Sequence, residues 1–423
     1  MTTPFSKSEC SGDISETSPE SIFNSVALIA GTTVGAGVLA LPAVTWPVGI
    51  IPSTVLMLAA WLYMVVSGLL IAEATLQTMQ QTDRVDLGLL ATIRHNLGLG
   101  GAIAAGIIYV FIHYALLIAY VARGGDILAA AIEAIIKYSE YQLNLLGTVP
   151  LWWGHIVFVV LFANILFWSR YQQIARLNSI LVAVVIITFC SLFALTVSQA
   201  DVARLQIQHW ENIGAVVPVM FVAFVYQNVV PVITKKLKGN RKKIRQSIWL
   251  GSCIPLVMFA LWNTVILASI PLSYQQTGSV DPLEWMRTGA TYPELKIAVS
   301  VFSELAIATS FIGFVFGLLD VFEDIFSPTL IKQNRKLFFY LLTFVPPLLL
   351  SLINPNVFYE AIDFAGAFGI SILFGIIPAL MVWRLRGESM PSAPLLVGGR
   401  PLLMGMIAIA IGVMLQKIAS FGN

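Results

Sequence analysis

The ionisable side chains that fall inside the long apolar stretches of this 423-residue sequence are Glu73, Glu304, Glu360 and Asp363, together with His113 and His155. Every charged one is acidic, and the same stretches hold no Lys or Arg. Acids in such surroundings have protons or cations as their natural partners. Glu73 and Glu360 lie close to the ends of their stretches, where water can hydrate them, whereas Glu304 and Asp363 lie further in and are the candidates for ion coupling. His113 belongs with them if it titrates near neutral pH. The alternative for a lone His among apolar neighbours is a hydrogen-bonded packing role. Thr309 and Ser310 offer adjacent hydroxyls. Such a pair either completes an oxygen cage for Na⁺ or bonds back to its own helix.

A second kind of chemistry needs no charged side chain. The first apolar stretch is interrupted by Gly31-Thr32-Thr33-Val34-Gly35-Ala36-Gly37 and ends in Leu41-Pro42. The sixth carries Pro218, then Phe224-Val225-Tyr226-Gln227-Asn228, then Pro231. An unwound segment in a membrane exposes backbone groups that lipid cannot satisfy, so it persists only where protein, substrate or ion meets them. Half-helix N-termini suit a carboxylate and half-helix C-termini suit a cation. A zwitterionic amino acid presents both charges on one carbon, so two opposed broken helices can hold it with backbone alone. Gly and Pro also serve close packing of membrane helices, which is the alternative for each break taken singly.

The elements that must position these groups follow from composition. Hydrophobic residues make up 58 % of the chain and charged residues 11 %, against about 25 % charged in a soluble domain. A soluble enzyme, a disordered chain and a basic-patch nucleic-acid binder are thereby excluded, and an all-α integral membrane protein is expected. Eleven apolar stretches, most near the ~20 residues a spanning helix needs, lie at 22–46, 49–76, 101–122, 152–168, 177–198, 213–233, 248–270, 297–319, 337–353, 357–383 and 401–416. With the N-terminus placed in the cytoplasm, eighteen of the twenty-four Lys and Arg fall on inside segments, and six fall outside. Seven of the eighteen lie in the loop at 234–247. That bias predicts an N-terminus inside and a C-terminus on the periplasmic side. Residues 1–21 are polar and acidic, without the basic start of a signal peptide, and read as a disordered cytoplasmic tail.

Five crossings separate the two broken helices, so they run in opposite directions, as in the inverted halves of a secondary transporter. The halves are 22–198 and 213–383, with a further helix at 401–419. Cys10, Cys190 and Cys253 form no metal-spaced or disulfide pattern. No nucleophile elbow, phosphate-binding loop or HExxH occurs, and no loop is long enough for an ATP motor. No cofactor, metal or nucleic-acid partner is expected. The basic loop can also contact anionic membrane lipids.

The segments GTTVGAGVLALP (31–42), HYALLIAYVARGGDIL (113–128) and PVMFVAFVYQNVVPVITKKLKGNRKKIRQSI (218–248) carry a likeness, as do IATSFIGFVFGLLD (307–320) and AIDFAGAFGISILFGIIPALMVW (361–383). Over about residues 22–420 the chain resembles the hydroxy/aromatic amino acid permease family of the amino acid–polyamine–organocation superfamily, and especially the tyrosine-specific transport proteins. That resemblance implies the five-plus-five inverted-repeat, leucine-transporter-like fold plus one extra C-terminal helix. It further implies import of an aromatic amino acid, tyrosine above all, coupled to protons across a bacterial inner membrane, with Na⁺ coupling or Trp, Phe, Ser or Thr specificity as alternatives. The substrate would lie against the breaks at 31–37 and 224–228. Tyr114 and His113 would close one side, and Phe221, Phe224 and Tyr226 would shape the side-chain pocket. Members commonly carry His before Asn in the helix-six motif where this chain has Gln227, a side chain that hydrogen-bonds but carries no proton at neutral pH.

Overall fold

The computed structural model describes residues 22–35, 37–82, 87–138, 150–197, 200–201, 203, 206–270, 282–288, 293–325, 334–354, 357–387 and 394–421. The acidic tail at 1–21 and Ala36 lie outside the described residues. The regular elements described are helices. Nine are long and apolar enough to cross a membrane, and the pair α1 (Ile22–Thr33) and α2 (Gly37–Thr45), bent by 54°, makes a tenth. The remaining apolar helix, α5 (Leu151–Trp168), occupies the fourth expected stretch and is shorter.

Several helices run well past the apolar stretch that marks them. α3 (Ile50–Thr82) continues through the polar run Thr75-Leu-Gln-Thr-Met-Gln-Gln-Thr82. α4 (Leu89–Tyr138) begins before Gly98, where a left-handed φ of 77° kinks it, and ends far beyond Arg123. The chain then forms α6 (Tyr171–Val197), α7 (Val217–Ala223), α8 (Val230–Lys236) and α9 (Arg241–Ser269). Four of the basic residues expected in a loop, Arg241, Lys242, Lys243 and Arg245, therefore lie in the first turns of α9, which Asn240 caps by accepting from Lys243 N at 3.1 Å. α10 (Pro282–Thr288), α11 (Pro293–Ile325), α12 (Arg335–Ile353), α13 (Val357–Phe364), a π-helical segment (Ala365–Ile376), α14 (Ile377–Gly387) and α15 (Gly399–Ala419) complete the described fold. α4 packs on α5, α11, α12 and α13, and α9 packs on α1 and α3. The π segment lies against α7, α4 and α15.

Four prolines in these helices show where a freed carbonyl finds its donor. A proline has no N–H for the carbonyl four residues earlier, and in a membrane that carbonyl needs another donor. Pro42 leaves Val38 O to the Trp262 indole at 3.2 Å, and Pro52 leaves Val48 O to His209 N at 3.0 Å. Pro346 leaves Leu342 O to the Tyr114 hydroxyl at 2.7 Å, and Pro378 leaves Phe374 O to Ser67 Oγ at 2.5 Å. Each break in one helix is thus a tie to another. Ser67→Ala should cost about 1–3 kcal/mol, the range for stranding a buried acceptor. Thermal unfolding of the detergent-solubilised protein checks this, and an unshifted transition would refute the tie.

One expectation is overturned. Glu73 is not hydrated near a helix end: it is 1 % exposed, and α3 continues past it for nine residues. Its carboxylate takes Arg386 Nε and Nη2 at 3.0 Å each and Leu395 N at 3.1 Å. A buried charge persists only when paired and hydrogen-bonded in this way.

Candidate functional site at the broken helices

The first broken helix stops at Thr33 and restarts at Gly37; the second stops at Ala223 and resumes as a 3₁₀ turn at Gln227–Val229 that feeds α8. The restart of the first and the stop of the second are brought together by small residues. A Cβ built on Gly37 would stand 3.0 Å from Ala223 Cα, so α2 and α7 touch backbone to backbone there. A Cβ on Gly35 would stand 2.5 Å from Ser310 Oγ, which puts the Ser310 hydroxyl of α11 against the first break. Ser310 also hydrogen-bonds Tyr120 of α4. Four elements therefore converge: both breaks, α11 and α4.

Gln227 does not face an open pocket. It is fully buried; its Oε1 accepts from Tyr226 N at 2.9 Å, and its Nε2 donates to Met64 O at 3.2 Å and approaches Met64 Sδ at 3.1 Å. The amide satisfies the N–H that the unwinding exposes and pins the break to α3. Tyr226 is buried beside it, with its hydroxyl on Met64 O at 3.2 Å in space left by Gly68. Phe224 packs on Phe259 with ring centroids 5.4 Å apart, and Phe221 stacks on Tyr63 at 4.8 Å; both phenyl rings are buried. These three aromatics build the wall of the break rather than line open space.

The exposed residues of the two breaks are Gly31, Thr32 and Asn228, while Thr33 is buried. Both threonines bond back to their own helix, Thr32 to Leu28 O at 2.7 Å and Thr33 to Ile29 O at 2.8 Å. The turn carrying Asn228 packs against α1, which carries Gly31 and Thr32. A lipid-facing surface would carry large apolar side chains instead.

The expected coupling residues divide. Ser310 is at the site, whereas the Thr309 hydroxyl bonds back to Ala306 O at 3.0 Å. His113 is buried, with Nδ1 bonded to Tyr109 O at 2.8 Å and its ring stacked on Tyr109 at 4.0 Å, the packing arrangement. Tyr114 braces α12 through Leu342 O. Glu304 lies half-buried on α11, about two turns before Ser310. Asp363 is ion-paired with Lys417 Nζ at 2.5 Å.

Sequence reading passed over Asp126, because the third stretch seemed to end at Arg123. The apolar run Ile127–Ile132 is the signal that α4 continues and that Asp126 is a helix residue. It meets His155 of α5 at 3.1 Å.

Comparison with known proteins gives the family. The model of the tryptophan/tyrosine permease family matches residues 18–417. The chain is 28 % identical to the tryptophan-specific transport protein of Haemophilus influenzae over 97 % of both chains. It is 29 % identical to tyrosine-specific transport system 1 of the same organism, over 93 % of this chain and 95 % of the relative. It is 27 % identical to the low affinity tryptophan permease of Escherichia coli, over 95 % and 96 %. The family match covers both broken helices, and this chain belongs to the tryptophan/tyrosine permease family of aromatic amino acid permeases.

Proposed function

We propose that the protein imports an aromatic amino acid by proton symport with alternating access, L-tyrosine being the preferred substrate. The observation that carries this reading is the contact of two broken helices at Gly37 and Ala223, with Gly31, Thr32 and Asn228 exposed at the same breaks. Backbone groups at the breaks would take the α-amino and α-carboxylate groups. In the same reading, residues 22–198 and 213–383 form five-plus-five inverted halves of an eleven-helix protein with a final helix at 401–419. The Lys and Arg distribution supports a cytoplasmic N-terminus and a periplasmic C-terminus in a bacterial inner membrane.

Two alternatives have specific support. Relatives of nearly equal identity are named for tryptophan and for tyrosine, so tryptophan is the rival substrate. Ser310 against Gly35 is the group that a Na⁺-coupled version would use.

Uptake of radiolabelled L-tyrosine into proteoliposomes tests the proposal. Accumulation is expected to follow an imposed inward proton gradient, to ignore a Na⁺ gradient, and to be blocked by excess Trp or Phe but not by Ser or Thr. Uptake that follows Na⁺ and is lost in Ser310→Ala would overturn proton coupling. Accumulation of tryptophan with no uptake of tyrosine would overturn the substrate choice.

A further inference from the structure

A second polar cluster lies within the bundle, away from the breaks. His155 on α5 meets Asp126 on α4, Nε2 to Oδ1 at 3.1 Å, with the His155 side chain 1 % exposed and Asp126 26 % exposed. The helices cross glycine against glycine: a Cβ on Gly154 would run into Gly125 O, and one on Gly125 would run into His155. The imidazole is therefore clamped against α4 with no other side chain between them. An ionised carboxylate only accepts, so Nε2 carries the shared hydrogen and Nδ1 is a bare acceptor. Nδ1 is buried and has no hydrogen-bond partner among the described residues. Buried polar atoms are almost always paired, so an orphan of this kind calls for an explanation.

We propose that Asp126 and His155 form a proton-binding site whose loading is tied to movement of α5 against α4, an inference that rests on the proton-symport reading above. Asp126 is the member that reaches the surface. A proton delivered there by water ends on Nδ1: a new N–H bond forms, the water-borne acid gives up its proton, and the neutral ring becomes an imidazolium that still donates Nε2–H to the carboxylate. No electrons are exchanged. In the arrangement seen, the new N–H would lack an acceptor, so the loaded pair favours a different packing of the two helices. A ligand shifts a conformational equilibrium only through such a difference between states.

The pair is joined to the breaks by packed side chains. Phe158, one turn along α5, meets Phe311 at 5.1 Å, and the adjacent Ser310 sits against Gly35. Tyr120, bonded to Ser310, precedes Asp126 by about 9 Å of helix. Other titratable groups are placed as follows. On α4, Arg123 lies a turn before Asp126 and sits over the Phe358 ring of α13 at 5.8 Å, and Glu133 lies two turns after. α5 has no other ionisable side chain. α11 brings Lys296 and Glu304 in its first half, and α13 brings Glu360 and the paired Asp363. α3, α12 and α14 carry theirs (Glu73; Arg335 and Lys336; Arg384 and Arg386) toward the opposite end of α4.

The test compares full-length wild type with His155→Gln and Asp126→Asn in proteoliposomes, with His113→Gln as a reference. Each is measured for proton-driven accumulation and for gradient-free exchange of the same labelled substrate, L-tyrosine and L-tryptophan in turn. The ratio of driven to exchange flux is expected to fall about tenfold or more in both variants, within the range of coupling between linked sites, and to hold in His113→Gln. Exchange reports that the variants are folded, and Asp126→Asn keeps a hydrogen-bonding group should His155→Gln fail to fold. As a second readout, substrate affinity measured from about pH 5 to 8, the range in which His titrates, should vary in wild type and flatten in both variants. If both keep the wild-type ratio and pH profile, the pair is a structural clamp and the inference is wrong while proton symport stands. If wild type itself ignores the proton gradient, symport and this inference fall together.

Discussion

Glu73→Gln and Arg386→Gln should each lower the stability of the solubilised protein by about 3–5 kcal/mol, the cost of stripping one partner from a buried ion pair. The carboxylate is 1 % exposed, and both oxygens are engaged by Arg386, with Leu395 N adding a third bond. Arg386 Nη2 also donates to Leu396 O at 2.9 Å. One pair thus ties α3 to α14 and to the segment that leads into α15. Removing either partner leaves a buried charge alone, whereas Glu73→Leu with Arg386→Leu removes both charges and should recover most of the loss. Thermal unfolding followed by tryptophan fluorescence measures the difference. Losses below about 1 kcal/mol for the single variants would mean that the pair behaves as a hydrated one.

The second large effect is on transport. Gly37→Leu should reduce uptake of aromatic amino acid at least tenfold while leaving folded protein that elutes as a single species. The nearest atoms to a Cβ at Gly37 are Ala223 Cα at 3.0 Å, Ala223 Cβ at 3.5 Å and Ala223 N at 3.6 Å, so the obstacle is chiefly backbone and cannot swing aside. A leucine must push α2 from α7 and pull the two breaks apart. Displacements of about 1 Å at a reacting or binding centre cost about a hundredfold where geometry decides the rate. Gly412→Ala is the control: a Cβ there meets nothing within 4 Å, and uptake should be unchanged. Full uptake by Gly37→Leu would show that transport does not depend on the contact of the breaks.

How much of this was legible in the residues varies with the kind of force involved. The breaks at 31–37 and 224–228 could be read directly, because Gly clusters and flanking prolines alter the backbone locally. Hydropathy marked the helices in order but misjudged their ends at Thr82 and Tyr138, since it reports transfer into lipid while a helix continues wherever its backbone bonds continue. That error made Glu73 look hydrated and hid Asp126. The roles expected of Tyr114 and Gln227 depended on where their hydrogen bonds go. Tyr114 bonds Leu342 O, 228 residues away, and Gln227 bonds Met64, 163 residues away.

The sequence by itself determined a membrane-embedded helical chain, the two interruptions in it and the family likeness. These rest on composition and local backbone preference, which act within a few residues. Only the tertiary structure decided which donors answer the carbonyls freed by Pro42, Pro52, Pro346 and Pro378, that Glu73 is neutralised by Arg386, and that Asp126 meets His155. In a bundle without water, every exposed polar group must find a partner on another helix. Which helix supplies it is set by packing across the whole chain and is not written at the residue that needs it.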